Sequence, residues 1–125
     1  MQFAGTMRDF RTMRIWREGI SLTVSAYELA NSLPVDERFG LKSQIKRAAV
    51  SIPSNIAEGC SRASNKEFKH FLEISLGSAF EVESDMEIAS RLKMIPDQDH
   101  NKFLNALQIL QRRINTLISQ VKDDL

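Results

Sequence analysis

Apolar residues return along this chain at steps of three and four, the spacing that lays side chains along one face of a helix. Over about residues 12–33 the face is Ile15, Gly19, Leu22, Ala26, Leu29 and Leu33, and Pro34 ends the run. A second stripe, Leu41, Ile45, Ala48, Ile52, Ile56 and Gly59, covers about 37–61. Pro53 falls inside it, removing one backbone hydrogen bond and crowding the carbonyl of Ala49, so a kink is expected there. The stripe keeps its phase across Pro53, which favours one helix over two. Ser64 and Glu67 have the spacing of a capping box that opens a third helix over about 65–94. Its face is Phe68, Leu72, Ser75, Ala79, Val82, Met86 and Ala89. Asp97, following Pro96, is the expected N-cap of a fourth helix over about 97–123, with Phe103, Leu107, Leu110, Ile114, Leu117 and Val121 on one side.

Links of a few residues force neighbouring helices to run antiparallel. The expected fold is therefore all-α, an up-and-down antiparallel four-helix bundle forming one domain over residues 1–125. Only three prolines and five glycines interrupt the chain, which agrees with long helices.

Two helices carry more apolar surface than one bundle face needs. Trp16, Ile20, Val24 and Tyr27 lie on a second side of the first helix, with Met13 at its start. Ile74, Ile88 and Leu92 flank the third helix on one side, Leu76 and Phe80 on the other. Contiguous apolar patches of this kind mark interaction surfaces more often than they stay bare. Self-association is the expectation, with Trp16, Ile20, Val24 and Tyr27 as interface candidates. Gly19, Gly59 and Gly77 sit at helical positions, each costing about 1 kcal/mol relative to alanine. Close backbone approach between helices or subunits is the expected compensation.

Charge adds little that is global: 17 basic against 16 acidic residues give +1, so no overall field selects nucleic acid or membrane. No apolar run approaches the roughly 20 residues that cross a bilayer. The single cysteine, Cys60, cannot pair internally, and residues 1–8 lack an apolar leader core, so a cytoplasmic location is expected.

Few residues have the spacing that chemistry needs. Glu67 and His70 match the Glu-x-x-His spacing of di-iron bundles, but such a site needs a second motif and two further glutamates. Here Phe68, Phe71 and Leu72 take the core side and turn His70 away, while His100 belongs to another helix. Cys60 has no histidine near it in sequence to act as a base. The run Glu81, Glu83, Asp85, Glu87 alternates between opposite flanks of its helix, as solvated or salt-bridging carboxylates do. No catalytic residue, metal ligand or cofactor site is assigned.

Basic residues supply local patches: Arg8, Arg11, Arg14 and Arg17 every three residues, Lys42 and Lys46 one turn apart, and Arg47 beside them. These seven are the candidates for phosphate contacts to RNA or DNA. Arg62, Lys66 and Lys69 form a further cluster. Gln44, Ser51, Asn55 and Glu58 make a polar strip beside the apolar stripe of the second helix. They are read as satisfying one another, or backbone groups freed by Pro53.

The block from Phe39 through Gly59, FGLKSQIKRAAVSIPSNIAEG, closely resembles the hallmark of the bacterial family of 23S rRNA intervening-sequence proteins. Phe10 with Ile15-Trp16, Pro34 and Glu37 lie upstream of it. Glu67-Phe68, Phe71-Leu72 and the run from Gly77 to Glu83 extend the resemblance to about residue 94. The resemblance implies a four-helix bundle assembled as a ring-like homopentamer, with no enzymatic activity. Some members of that family are encoded within intervening sequences of 23S rRNA genes. A related branch serves diversity-generating retroelements, where it works with a reverse transcriptase and binds nucleic acid through a basic surface. The partners implied are thus the chain itself, RNA or DNA, and a reverse transcriptase, with no membrane.

Overall fold

A computed structural model describes residues 8–37 and 39–123. Four helices follow in order: α1 (Arg14–Asn31), α2 (Leu41–Cys60), α3 (Asn65–Arg91) and α4 (Asp97–Gln120). Among the described residues no strand occurs. Each helix packs on its two neighbours, α1 and α4 closing the square, while the diagonal pairs α1–α3 and α2–α4 stay apart. This is the expected antiparallel bundle. Its core joins Ile15 and Leu22 of α1, Ile45, Ile52 and Ile56 of α2, Leu72, Val82 and Met86 of α3, and Leu107, Leu110 and Ile114 of α4.

The helix ends depart from the apolar stripes for local reasons. Asp9 accepts the Arg11 N–H at 3.1 Å and starts a 3-10 turn, Phe10–Thr12, so α1 begins only at Arg14. Residues Val35–Glu37 form another 3-10 turn rather than the start of α2. From that turn the Glu37 carboxylate accepts the Leu41 N–H at 3.1 Å, giving α2 its first cap bond. The third helix stops at Arg91, three residues short of the expected 94. Met94 N–H donates to the Ala89 carbonyl at 2.9 Å and Lys93 N–H to Ser90 at 3.0 Å. This pair closes a Schellman turn with Lys93 at φ 63°, a left-handed conformation usually given to glycine. The turn drives Ile95 into the core. At the fourth helix the expected cap is corrected by one residue: Pro96 holds the N-cap position and Asp97 is the first helical residue. Asp97 still favours that end, as a negative charge in the first turn. The Ser64 cap is as expected, its hydroxyl accepting the Glu67 N–H at 3.1 Å.

α2 runs as one helix through Pro53. Proline has no N–H, so the Ala49 carbonyl loses its helical donor. The Thr23 hydroxyl of α1 lies 3.0 Å from that carbonyl and 2.7 Å from Gly19 O, within donating distance of both. Gly19 faces this seam, where an added Cβ would come into van der Waals contact with Pro53 Cβ at 3.4 Å. The group freed by Pro53 is thus satisfied from α1, not from the polar strip of α2. Gly59 is the tighter case, between α2 and α3, where a Cβ would clash with Phe71 Cβ at 2.9 Å.

Candidate functional site

The polar strip divides. Ser51 shares a hydrogen bond with Ser78 of α3 at 2.8 Å, and Asn55 Nδ2 donates to both Ser51 O and Ser51 Oγ at 2.8 Å. Ser75 Oγ, fully buried, donates to Ile52 O at 2.8 Å and adds a second polar rivet between α2 and α3. Glu58 turns outward to pair with Arg62, and Gln44 is exposed. The strip therefore works as helix-to-helix fastening around Ser51 and Asn55.

The basic candidates separate into three groups. Arg8 bonds Asn65 and stacks its guanidinium 3.9 Å from the Phe68 ring centre, fixing the chain entry onto α3. Arg11 pairs with Asp9 and lies over Phe10. Arg14 and Arg17 instead face the seam between α1 and α4, where they line a groove with Arg113. The groove continues along α4 past Arg112. Arg113 bonds the Glu18 carboxylate, and Arg14 Nε stands 3.8 Å from the same oxygen. Glu18 thereby holds two guanidinium groups at one place. Lys42, Lys46 and Arg47 lie apart from these on α2, with Lys46 Nζ 5.0 Å above the Tyr27 ring. Arg112 and Arg113 escaped the sequence reading, although two adjacent basic residues in the fourth helix were the available signal.

The four interface candidates also divide. Trp16 is half-buried and meets Phe10 edge-on, ring centres 5.0 Å apart. Ile20, Val24 and Tyr27 stand exposed on successive turns of α1, Val24 at 54%. On α3, Ile74, Phe80 and Ile88 are exposed, as is Leu92 just past its end, while Leu76 packs against the core.

Ionisable groups are dispersed. Cys60 is buried, its thiol 3.3 Å from the Met13 sulfur, and burial pushes its pKa up to about 11 against the lowering pull of Arg8. A thiol so placed stays protonated near neutrality and is a poor nucleophile. His70 is exposed in edge contact with Phe71, and His100 is buried near the start of α4. They sit on either side of the length of α3. Among the described residues no three His, Cys, Asp or Glu side chains converge as metal ligands would, and no helix is long and apolar enough to cross a membrane.

The acidic run does not behave uniformly. Glu83 accepts from Gln111 Nε2 of α4 at 2.8 Å, and Glu87 from Arg91 at 2.9 Å. Glu81 is exposed, but Asp85 is only 6% exposed and its Oδ2 has no hydrogen-bond partner among the described residues. Burial first, and the Glu81 charge second, raise its pKa above the usual carboxylate value. Asp85 thus departs from the solvated or salt-bridged role expected of the run.

Four antiparallel helices, fastened by interhelical serine hydrogen bonds and bearing exposed apolar strips on α1 and α3, define a small helical-bundle protein whose distinctive features lie on its surfaces. Residues 11–116 match the family described as 23S rRNA-intervening sequence protein, and the chain belongs to that family. Among solved structures it is similar to a protein of unknown function from the S23 ribosomal protein family of Bacteroides thetaiotaomicron. The two are 24% identical with a TM-score of 0.78 over 83% of this chain and 97% of the other, a likeness that shows the fold alone. No curated protein matches the chain.

Proposed function

We propose that this protein is a non-catalytic bundle that assembles with copies of itself and acts as a scaffold or binding module, with RNA or DNA as the ligand of its basic groups. The observation that carries the assembly is the exposed row Ile20, Val24 and Tyr27 on α1, together with exposed Phe80 and Ile88 on α3. Apolar side chains in rows on two helices are surface that a partner copy covers. Mass measurement of the purified chain in solution tests this; the family resemblance makes five copies the expected number, and a monomer at all concentrations refutes it.

Nucleic-acid binding is supported by the α1–α4 groove, where Arg14, Arg17 and Arg113 stand with one carboxylate, Glu18, among them, and by Arg112 beside it on α4. Guanidinium groups along a groove suit a phosphodiester backbone, and assembly multiplies the patch. A salt-sensitive gel shift of structured RNA or single-stranded DNA is the expected result. No shift at low salt removes this part of the proposal.

The second reading is a structural or protein-interaction subunit without nucleic acid, favoured by the net charge of +1. Pull-down from lysate with and without nuclease separates the two, because only nucleic-acid-bridged partners are lost on digestion.

A further inference from the structure

The two exposed apolar strips are opposite in charge. Between Leu41 and Ala57, α2 carries Lys42, Lys46 and Arg47 and no acidic residue. Lys46 lies over Tyr27, and exposed Val50 stands next to the Thr23–Ala49 contact, so α1 and α2 together present an apolar face that is basic along its α2 edge, with Glu28 of α1 on the other side. Between Phe71 and Ser90, α3 carries Glu73, Glu81, Glu83, Asp85 and Glu87 and no lysine or arginine. Its exposed Phe80 and Ile88 therefore sit in a mainly acidic border beside Glu83 and Glu87, with Arg91 paired to Glu87 at its end. α1 and α3 occupy diagonal corners of the bundle, so the apolar row of α1 and that of α3 do not meet within one chain, although α2 packs on both helices.

From this arrangement we infer that the acidic apolar face of α3 in one copy docks on the basic apolar α1–α2 face of a second copy, a head-to-tail contact between unlike faces. The inference rests on the self-assembly reading above and specifies which surfaces meet. Like faces repel: α3 on α3 sets carboxylates against carboxylates, and α1–α2 on itself sets Lys46 and Arg47 against their own copies. Unlike faces attract, and a contact of this type leaves one free face at each end, which a ring closes.

Two further observations on α3 point the same way. Gly77 is exposed in mid-helix, and a Cβ added there would meet nothing within 4 Å. Gly59 is explained by Phe71 inside the chain, and Gly19 has Pro53 within contact distance; Gly77 has no such neighbour. A bare backbone on the docking face admits the close approach of another helix. Exposed Glu81 adds a carboxylate to that face, and a lysine or arginine of the next copy answers it; Asp85, one turn on, is buried and takes no part.

The test uses two single-face variants of the full chain, Val24→Asp on the α1–α2 face and Ile88→Arg on the α3 face. Both positions are exposed, so each variant should keep the helical circular dichroism of the parent. The expected result is that each alone is monomeric by sedimentation or native mass measurement. An equimolar mixture then forms species containing both chains, because the intact α3 face of the first meets the intact α1–α2 face of the second. Two outcomes overturn the inference while leaving self-assembly standing. One is a single variant that still dimerises alone; the other is a mixture that stays monomeric while the parent assembles. A monomeric parent overturns the self-assembly reading and this inference with it.

Discussion

Replacing Thr23 by valine removes the hydroxyl that α1 offers to α2 and keeps the shape of the side chain. The carbonyl of Ala49 then has neither the N–H of residue 53, which proline lacks, nor a side-chain donor. A buried carbonyl left without a partner costs about 1–3 kcal/mol. Thr23 is half-buried, and its one proton is shared between Ala49 O and Gly19 O, so the lower half of that range applies, about 1–1.5 kcal/mol. For a chain of 125 residues this lowers Tm by about 3–6 °C. The decisive form is a cycle with Pro53→Ala, which restores the residue-53 N–H and lets the Ala49 carbonyl take its ordinary helical bond. In that background Thr23→Val should cost under about 0.5 kcal/mol, giving a coupling near 1 kcal/mol between sites on different helices. Urea unfolding of all four chains, followed at 222 nm in the monomeric Val24→Asp background, supplies the numbers. Equal costs of Thr23→Val with and without Pro53 would refute the reasoning.

The glycines make opposite predictions: Gly59→Ala should destabilise the fold by about 1–3 kcal/mol through its clash with Phe71, whereas Gly77→Ala should stabilise the isolated chain by about 1 kcal/mol. Gly77→Ala should at the same time weaken assembly, and unfolding and sedimentation on the same samples read both. Cys60 should resist alkylation in the folded chain at pH 8 and react at the ordinary thiol rate in urea, since burial holds its pKa near 11. Asp85 has a folded pKa above its unfolded one, so below the unfolded value its charge costs nothing, and stability is lost as pH rises through the folded value. In a monomeric background, Asp85→Asn should therefore raise Tm at pH 7 and give progressively less benefit as the buffer is taken down to pH 4.

The bundle was legible because four long stripes keep a helical phase that nothing else explains, and even Pro53 did not disturb the stripe around Ile52 and Ile56. The ends were less legible. Whether α3 continues to residue 94 depends on Lys93 entering a left-handed conformation, for which lysine gives no signal. The start of α2 depends on Glu37 folding back from a separate turn. Interhelical partners were beyond reach for a different reason. That Thr23 meets Ala49, or that Arg113 meets Glu18 across 95 positions, follows only once the helices are set in register. Alternation correctly separated Glu83 and Glu87, which bond Gln111 and Arg91, from Glu81 and Asp85. It could not say that burial would reach Asp85 and spare Glu81, since that depends on the depth of the packed seam. Trp16, grouped with Ile20 on the helical wheel, was half withdrawn from the surface by Phe10, whose position is set by a 3-10 turn.

The net charge of +1 is the sum of unlike regions rather than the property of any surface, and this divides the basic residues between two tasks. If unlike faces meet between copies, Lys46 and Arg47 become the answer to the α3 carboxylates and are withdrawn from any phosphate. Arg14 lines the α1–α4 seam and Arg112 stands beside it on α4, both away from the α2 border, and that contact leaves them free. Nucleic acid bound by the assembly must then run along that seam. Arg47→Glu should shift the mass distribution toward smaller species, while Arg14→Gln with Arg112→Glu should leave the mass unchanged and weaken the RNA shift. Because each lost phosphate contact also lowers the salt slope by about one, the groove variant should flatten the dependence of affinity on salt. A groove variant that changed the mass, or an Arg47 variant that changed only the RNA shift, would mean that the two surfaces have been assigned to each other's role.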